Sequence, residues 1–483
     1  MPTNRVLSLR TAADDSVAAR ALRDGIAAIQ AEQQVTTAFA AEVQQAAESA
    51  ASSPRLPGLD RTDLPFVTID PASSMDLDQA LHLARSGPGY VLSYAIADVA
   101  AYVAAGDPVD LEAHRRGQSL YGADSKIPLH PKVLSEAAAS LLPDQVRPAL
   151  VWTVTLDADG ERTDTRVERA LVRSRAKLSY DGVQQALDAG TADESLQLLR
   201  EVGDKRIALE IARGGMTLPM PEQEIVVEGE RWSLEFRSQL PVELWNAQMS
   251  LLCGFGAAQL MLDGGVGVLR TLPPADPRDV KRLRRTAHAL KLDWPRAQSP
   301  ADFIRALDPS VPAEAAMATA STRLLRGSGY AAFDGAPPEQ PEHAALASPY
   351  AHVTAPLRRL VDRFAGEICV SLCAGTAVPE WVLGAMPELD EEMRESTRRA
   401  NAYENAVVDL VETGILRPRV GEEFEAAVIE VEEKDPRRGV ITVAEPAVEA
   451  DLTAATELPL GEEVTVRLAA ADLATRKVEF RLA

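Results

Sequence analysis

Residues 65–80 read P-F-V-T-I-D-P-A-S-S-M-D-L-D-Q-A. Residues 66–69 are a short β-prone run, so Asp70 stands at a strand end. Pro71, Ser73 and Ser74 then break regular structure and form a loop. Such a loop can fold back and turn Asp76 and Asp78 toward Asp70. Three carboxylates drawn from nine residues repel one another unless a hard cation neutralises them. Mg2+ and Mn2+ prefer oxygen ligands and meet that need. The competing reading is a solvated acidic turn, since charge runs are usually exposed faces. Two features weigh against it: the apolar strand before the acids, and Ala80, Leu81 and Leu83 after them.

The 483 residues suffice for a large core and more than one domain. At 46% hydrophobic and 25% charged residues, the composition is that of a soluble globular protein. No apolar run is long enough to span a membrane, and the N-terminus lacks a secretory pattern, so a cytoplasmic protein is expected. Cys253, Cys369 and Cys373 are too few for a disulfide framework and read as buried thiols of a reducing compartment. The six histidines show no metal spacing. The net charge of −22 argues against a non-specific nucleic-acid binder. Local basic clusters run against that balance, at Arg115-Arg116, Lys281 to Arg285, Arg358-Arg359 with Arg363, and Arg398-Arg399. A basic channel inside an acidic shell fits this composition, and so does an acidic enzyme with a small substrate.

Three regions are expected along the chain. Residues 1–56 are Ala- and Gln-rich; two helices are expected between 15 and 49, docked on the next domain, with a Ser/Pro/Gly boundary after them. Residues 57–416 form a large mixed α/β region. Strands are expected at 90–99, 150–156 and 166–173, the last two joined by the D-A-D-G turn at 157–160. Helices are expected at 180–189, 195–213, 241–262, 277–290 and 313–325. Two more are expected at 357–373, just after Pro356, and at 388–413, capped by Gly414. Residues 419–483 change to short alternating strands, at 423–430, 439–443, 464–468 and 477–482. The fold class is therefore α+β, with a C-terminal OB-type barrel. That barrel region carries 15 acidic and 8 basic residues, and Phe424 and Phe480 are its only aromatics. Barrels that hold single strands need stacking platforms and a basic groove, so a mainly structural role is the competing reading here.

Several segments, in order, resemble the RNase II and RNase R family, the RNB exoribonucleases. They are the T-I-D…D-L-D motif, I-A-D-V-A-A-Y-V through R-R-G-Q-S-L-Y-G-A-D-S-K-I-P-L-H-P, R-S-R-A-K-L-S-Y, R-G-G-M-T-L-P, and S-P-Y-A-H-V-T-A-P-L-R-R. The resemblance extends through residues 57–416, about three quarters of the chain. The resemblance implies a hydrolytic 3′-to-5′ exoribonuclease that acts on single-stranded RNA and releases nucleoside 5′-monophosphates. It implies Asp70, Asp76 and Asp78 as ligands of Mg2+ or Mn2+, with Arg358 at the scissile phosphate. It places Glu404 near the catalytic centre, and Tyr121 and Tyr180 as base-stacking residues. Arg358 and Arg359 would contact RNA.

The chain departs from the family pattern at three points. Ala355 replaces a serine, the usual paired N-terminal RNA-binding barrels are replaced by a short helical segment, and Gln79 replaces the fourth aspartate. Gln offers one neutral carbonyl oxygen, so the site has one fewer negative charge and metal affinity should fall. A catalytically impaired RNA-binding protein of the same fold is the alternative this substitution leaves open. No membrane partner is expected, and the sequence does not give an oligomeric state.

Overall fold

The computed structural model describes residues 8–10, 17–122, 126–219, 222–228, 231–237 and 239–483. Its centre is a six-stranded sheet. The strands lie side by side as Arg162–Arg173, Val146–Leu156, Gly89–Ala97, Gln79–Ser86, Val67–Ile69 and Ala176–Leu178. All neighbours are antiparallel except the last pair, which is parallel. The turn at 157–160 forms as its residues require: Asp157 Oδ1 accepts from the backbone N–H of Asp159 and of Glu161, and Gly160 takes φ +84°.

The strand Gly89–Ala97 shows why the sheet is buried on both faces. Side chains alternate along a strand. Leu92, Tyr94 and Ile96 enter one apolar core, and the smaller Ala95 and Ala97 enter a second on the other side. The first core is closed by helices Glu194–Arg213, Pro241–Gly264 and Leu360–Ala374. The second takes the helix Ala41–Ser52 through Val43 and Ala47.

The C-terminal strands close into a barrel in the order Glu423–Val431, Arg438–Val443, Val448–Thr453, Lys477–Leu482 and Glu463–Asp472. Phe424 and Phe480 meet edge to face inside it at 5.6 Å, and both are buried. They fill the barrel and leave no aromatic on its outer surface. The helix Val17–Glu32 packs its Leu22, Ile26 and Ile29 into a cluster shared with the long helix Glu380–Leu416 and the barrel. The first N-terminal helix therefore bridges the two later regions rather than one. Its expected start at residue 15 lies outside the described residues.

Four expectations are corrected. The helix expected at 357 begins at Leu360, because Asp362 accepts from the backbone N–H of Ala355 and holds residues 355–359 in a turn. The last helix runs from Glu380 to Leu416, through Pro387 and past Gly414. Met386, Leu389 and Met393 are buried around that proline, and packing overrides its poor helix propensity. The strand Val448–Thr453 was not foreseen; its E-A-D-L-T run hides a two-residue alternation behind charges. Cys373 is exposed, unlike Cys253 and Cys369. Among the described residues, no helix is long and apolar enough to cross a membrane.

Candidate active site

Asp70 follows directly on the strand Val67–Ile69, and its backbone N–H bonds the carbonyl of Leu178 at 3.1 Å. The loop after it is pinned from two sides. Lys177 Nζ donates to the carbonyls of Ala72 (2.7 Å) and Ser74 (2.5 Å). Ser140 Oγ donates to the carbonyl of Met75 at 2.7 Å and accepts from the N–H of Leu77 at 2.9 Å. Leu77 is fully buried in the second core. In extended chain its two neighbours then point the other way together, so anchoring Leu77 sets Asp76 and Asp78 on one face.

The carboxylates feel one another. Burial and the charge of Asp76 push Asp70 up to about 6, against the pull of Arg358 and Lys177. Asp78 is 5% exposed. Burial pushes it up to about 8, opposed by Arg358 and by the Leu357 N–H, which donates to its Oδ1 at 2.8 Å. Arg358 Nε lies 3.6 Å from Asp78 Oδ2. The Asp76 carboxylate is held by Lys126 Nζ at 2.7 Å. Among the described residues no three acids converge closely enough to hold an ion by themselves.

Tyr121 is brought to this site by backbone pairing. The N–H of Ser119 donates to the carbonyl of Arg358 at 3.0 Å, and that of Leu360 to the carbonyl of Gly117 at 2.9 Å. Gly117 also lets the long helix close in: it has φ +68°, and a Cβ there would lie 2.4 Å from the Ser396 side chain. The Tyr121 hydroxyl lies beside Arg358, within the fields of Asp76 and Asp78. Tyr180 opens the helix Tyr180–Asp188 behind the Ser179 cap. Burial and the nearby Asp70 charge push its hydroxyl up to about 12.

Two expected site residues have neighbours of their own. Glu404, on the long helix, lies against the backbone of Tyr121, and burial pushes it up to about 7. Arg359 turns to Asp362 in a two-pronged ion pair, both contacts at 2.9 Å. Gln79 is tied as well. Its Oε1 accepts from the hydroxyl of the buried Tyr94, which lies next to Ser250, and Ser250 Oγ lies 2.9 Å from Thr354 Oγ1. A row of neighbouring hydroxyls thus runs from the acid loop to the T-A-P-L-R-R turn.

The sequence reading missed Lys126, Lys177, Asp362 and His130. His130 is buried beside Pro356, two residues before Arg358. Lys126, His130 and Lys177 lie inside segments quoted above for the family resemblance, but only the fold shows what they touch.

The shifts of Asp70 and Asp78 fix a pH dependence. Both native values lie above the ordinary 3.8, so the native state keeps protons that the unfolded chain releases. Their contribution to stability is most favourable below 3.8 and is lost as pH rises through about 6 and about 8. Thermal melts without divalent cations should therefore move in favour of Asp78→Asn over wild type as pH rises across that window. A pH-independent difference between the two would contradict the assignment.

Residues 59–368 match the RNB domain, and residues 422–483 match the RNase II-type exonuclease C-terminal S1 domain. Ribonuclease R of Escherichia coli is 27% identical over 398 residues, which cover 77% of this chain and 48% of that protein. The chain spans less than half the length of the curated relatives it matches. Mycoplasma genitalium RNase R, solved with ribose-methylated single-stranded RNA, superposes with a TM-score of 0.84 at 20% identity, covering 96% of this chain and 78% of that one. Yeast Ssd1, a pseudonuclease, shares the fold with a TM-score of 0.69 at 15% identity, covering 93% and 58%. The RNB match takes in the acid loop, both tyrosines and the Arg358 turn, and the chain belongs to the RNB family of RNase II and RNase R.

Proposed function

We propose that this protein is a metal-dependent exoribonuclease that hydrolyses single-stranded RNA from its 3′ end and releases nucleoside 5′-monophosphates. The observation that carries this reading is the half-open guanidinium of Arg358, 3.6 Å from Asp78 Oδ2, in a site where Asp76 raises and Arg358 lowers both Asp70 and Asp78. The donor set fits a hard divalent cation: all candidate ligands are oxygens, and the half-buried Asp70 and buried Asp78 carry charge that their surroundings oppose. Mg2+ keeps several waters, so two or three protein carboxylates suffice. Bound there, such an ion supplies an activated water and charge for the leaving oxygen. The chain's own residues do the rest. Arg358 faces the incoming phosphate with planar paired donors. Tyr121 and Tyr180 border the acids where successive bases would lie, and stacking grips any sequence.

The test is digestion of a 5′-labelled single strand with Mg2+ or Mn2+. Stepwise shortening from the 3′ end to mononucleotides is expected, and a strand blocked at its 3′ end should survive. Gln79 gives the second reading its footing: tied to Tyr94, it adds no charge to the acid site. A folded protein that binds RNA and never cuts it, with either metal, would mark an RNA-binding member of the fold.

Tyr121 separates grip from chemistry. Tyr121→Ala should weaken binding by about 1–3 kcal/mol, the worth of one stacked base, and change the length of the final product while cleavage persists. Tyr121→Phe keeps the ring and should bind near wild type. Equal losses in both variants would mean that the hydroxyl beside Arg358 matters and stacking does not.

A further inference from the structure

Lys126 stands on a two-residue strand, Lys126–Ile127, some fifty positions from the acid loop in sequence. Its ammonium lies 2.7 Å from Asp76 Oδ2 and 3.6 Å from Glu136 Oε1. The pair is sheltered, with 18% of the Lys126 side chain and 13% of that of Asp76 exposed. Surface ion pairs are worth little, but this one lies inside a site whose other acids, Asp70 and Asp78, lack a partner as close. The ammonium on Asp76 Oδ2 competes with a metal ion for the negative charge of that carboxylate. Gln79, whose oxygen is given to Tyr94, offers no replacement ligand.

We infer that Lys126 is an internal second cation of the acid site: it neutralises Asp76 and restricts the site to one divalent ion, held on the side of Asp70 and Asp78. Lys126 is a positioning residue in this scheme and touches neither substrate nor reacting atoms. Glu136 holds the ammonium from the far side, and Lys132, 3.7 Å from Glu136, completes the row. The inference rests on the metal-dependent reading above, and the experiment separates the two.

Mn2+ binding to the full chain is measured by calorimetry and by the Mn2+ resonance signal, without RNA and without any assay of cleavage. Wild type should take up one equivalent. Lys126→Met should bind Mn2+ about tenfold more tightly or accept a second equivalent, because ligand charge tunes the affinity of such sites. Lys126→Arg, which keeps the charge, should behave as wild type. No Mn2+ binding by wild type would defeat the metal-dependent reading itself. One equivalent in wild type, with unchanged stoichiometry and affinity in Lys126→Met, would overturn the role of Lys126 alone. Should Lys126→Met fail to fold, Glu136→Gln decides: it leaves the ammonium to Asp76 and must weaken Mn2+ binding a few-fold, and no change there overturns the inference.

Discussion

Asp78→Asn is expected to abolish cleavage of single-stranded RNA while RNA binding stays at or above the wild-type level. Asparagine preserves the shape of the side chain and can keep the Oδ1 bond from the Leu357 N–H, so the loop geometry should hold. The change removes one charge from beneath Arg358 and one oxygen ligand from the acid site. Removing a single electrostatic group from a preorganised site typically costs about 10²–10³ in turnover, and this residue is asked to do two jobs, so the loss should reach or pass the upper figure. Binding should move the other way, because a phosphate meets less repulsion when the site loses a carboxylate. Single-turnover cleavage and a filter-binding titration on the same preparation give both numbers. A variant that cuts at the wild-type rate would place the chemistry elsewhere in the chain.

The acid loop, the barrel and most helices were legible because their signals are local. A strand ending in Asp70, a break at Pro71 and a return to apolar residues can be read within sixteen positions. Leu77 was the unnoticed key: one apolar residue between two acids tells which way both acids point. What stayed hidden depends on contacts across the sequence. Lys126 looks like any surface lysine until Asp76 is found beside it. Glu404 was placed near the catalytic centre by resemblance, and only the fold shows that it lies against the backbone of Tyr121. Gln79 looked like a weakened metal ligand; in the fold it stands at the end of the row Gln79, Tyr94, Ser250, Thr354. A shorter Asp at 79 would reach Tyr94 less well and leave a buried hydroxyl short of a partner, at a cost of about 1–3 kcal/mol. The helix ends misjudged at Pro356, Pro387 and Gly414 have one cause. Proline and glycine punctuate a chain only where tertiary packing lets them, and buried Met386, Leu389 and Leu416 hold the long helix together through both residues.

The adjacent arginines of the T-A-P-L-R-R turn should fail in opposite ways. Arg358 keeps 45% of its side chain open and lies beside Asp78 and the Tyr121 hydroxyl, so its planar donors can turn to a phosphate. Arg359 is committed to Asp362, which is 1% exposed and also holds the N–H of Ala355. Arg358→Ala should therefore lower turnover by about 10²–10³ with little change in melting temperature. Arg358→Lys should recover only part of that, since an ammonium restores the charge without the paired geometry. Arg359→Ala strands a buried carboxylate, which typically costs about 3–5 kcal/mol, so its first symptom should be a lower melting temperature. Its loss of activity should follow the loss of folded protein and be partly recovered by cooling. Melting curves and single-turnover rates on the three variants decide the matter. If Arg358→Ala cuts RNA as fast as wild type, or if Arg359→Ala melts normally yet cannot cut, the two roles are reversed and Arg359 is the residue that meets the phosphate.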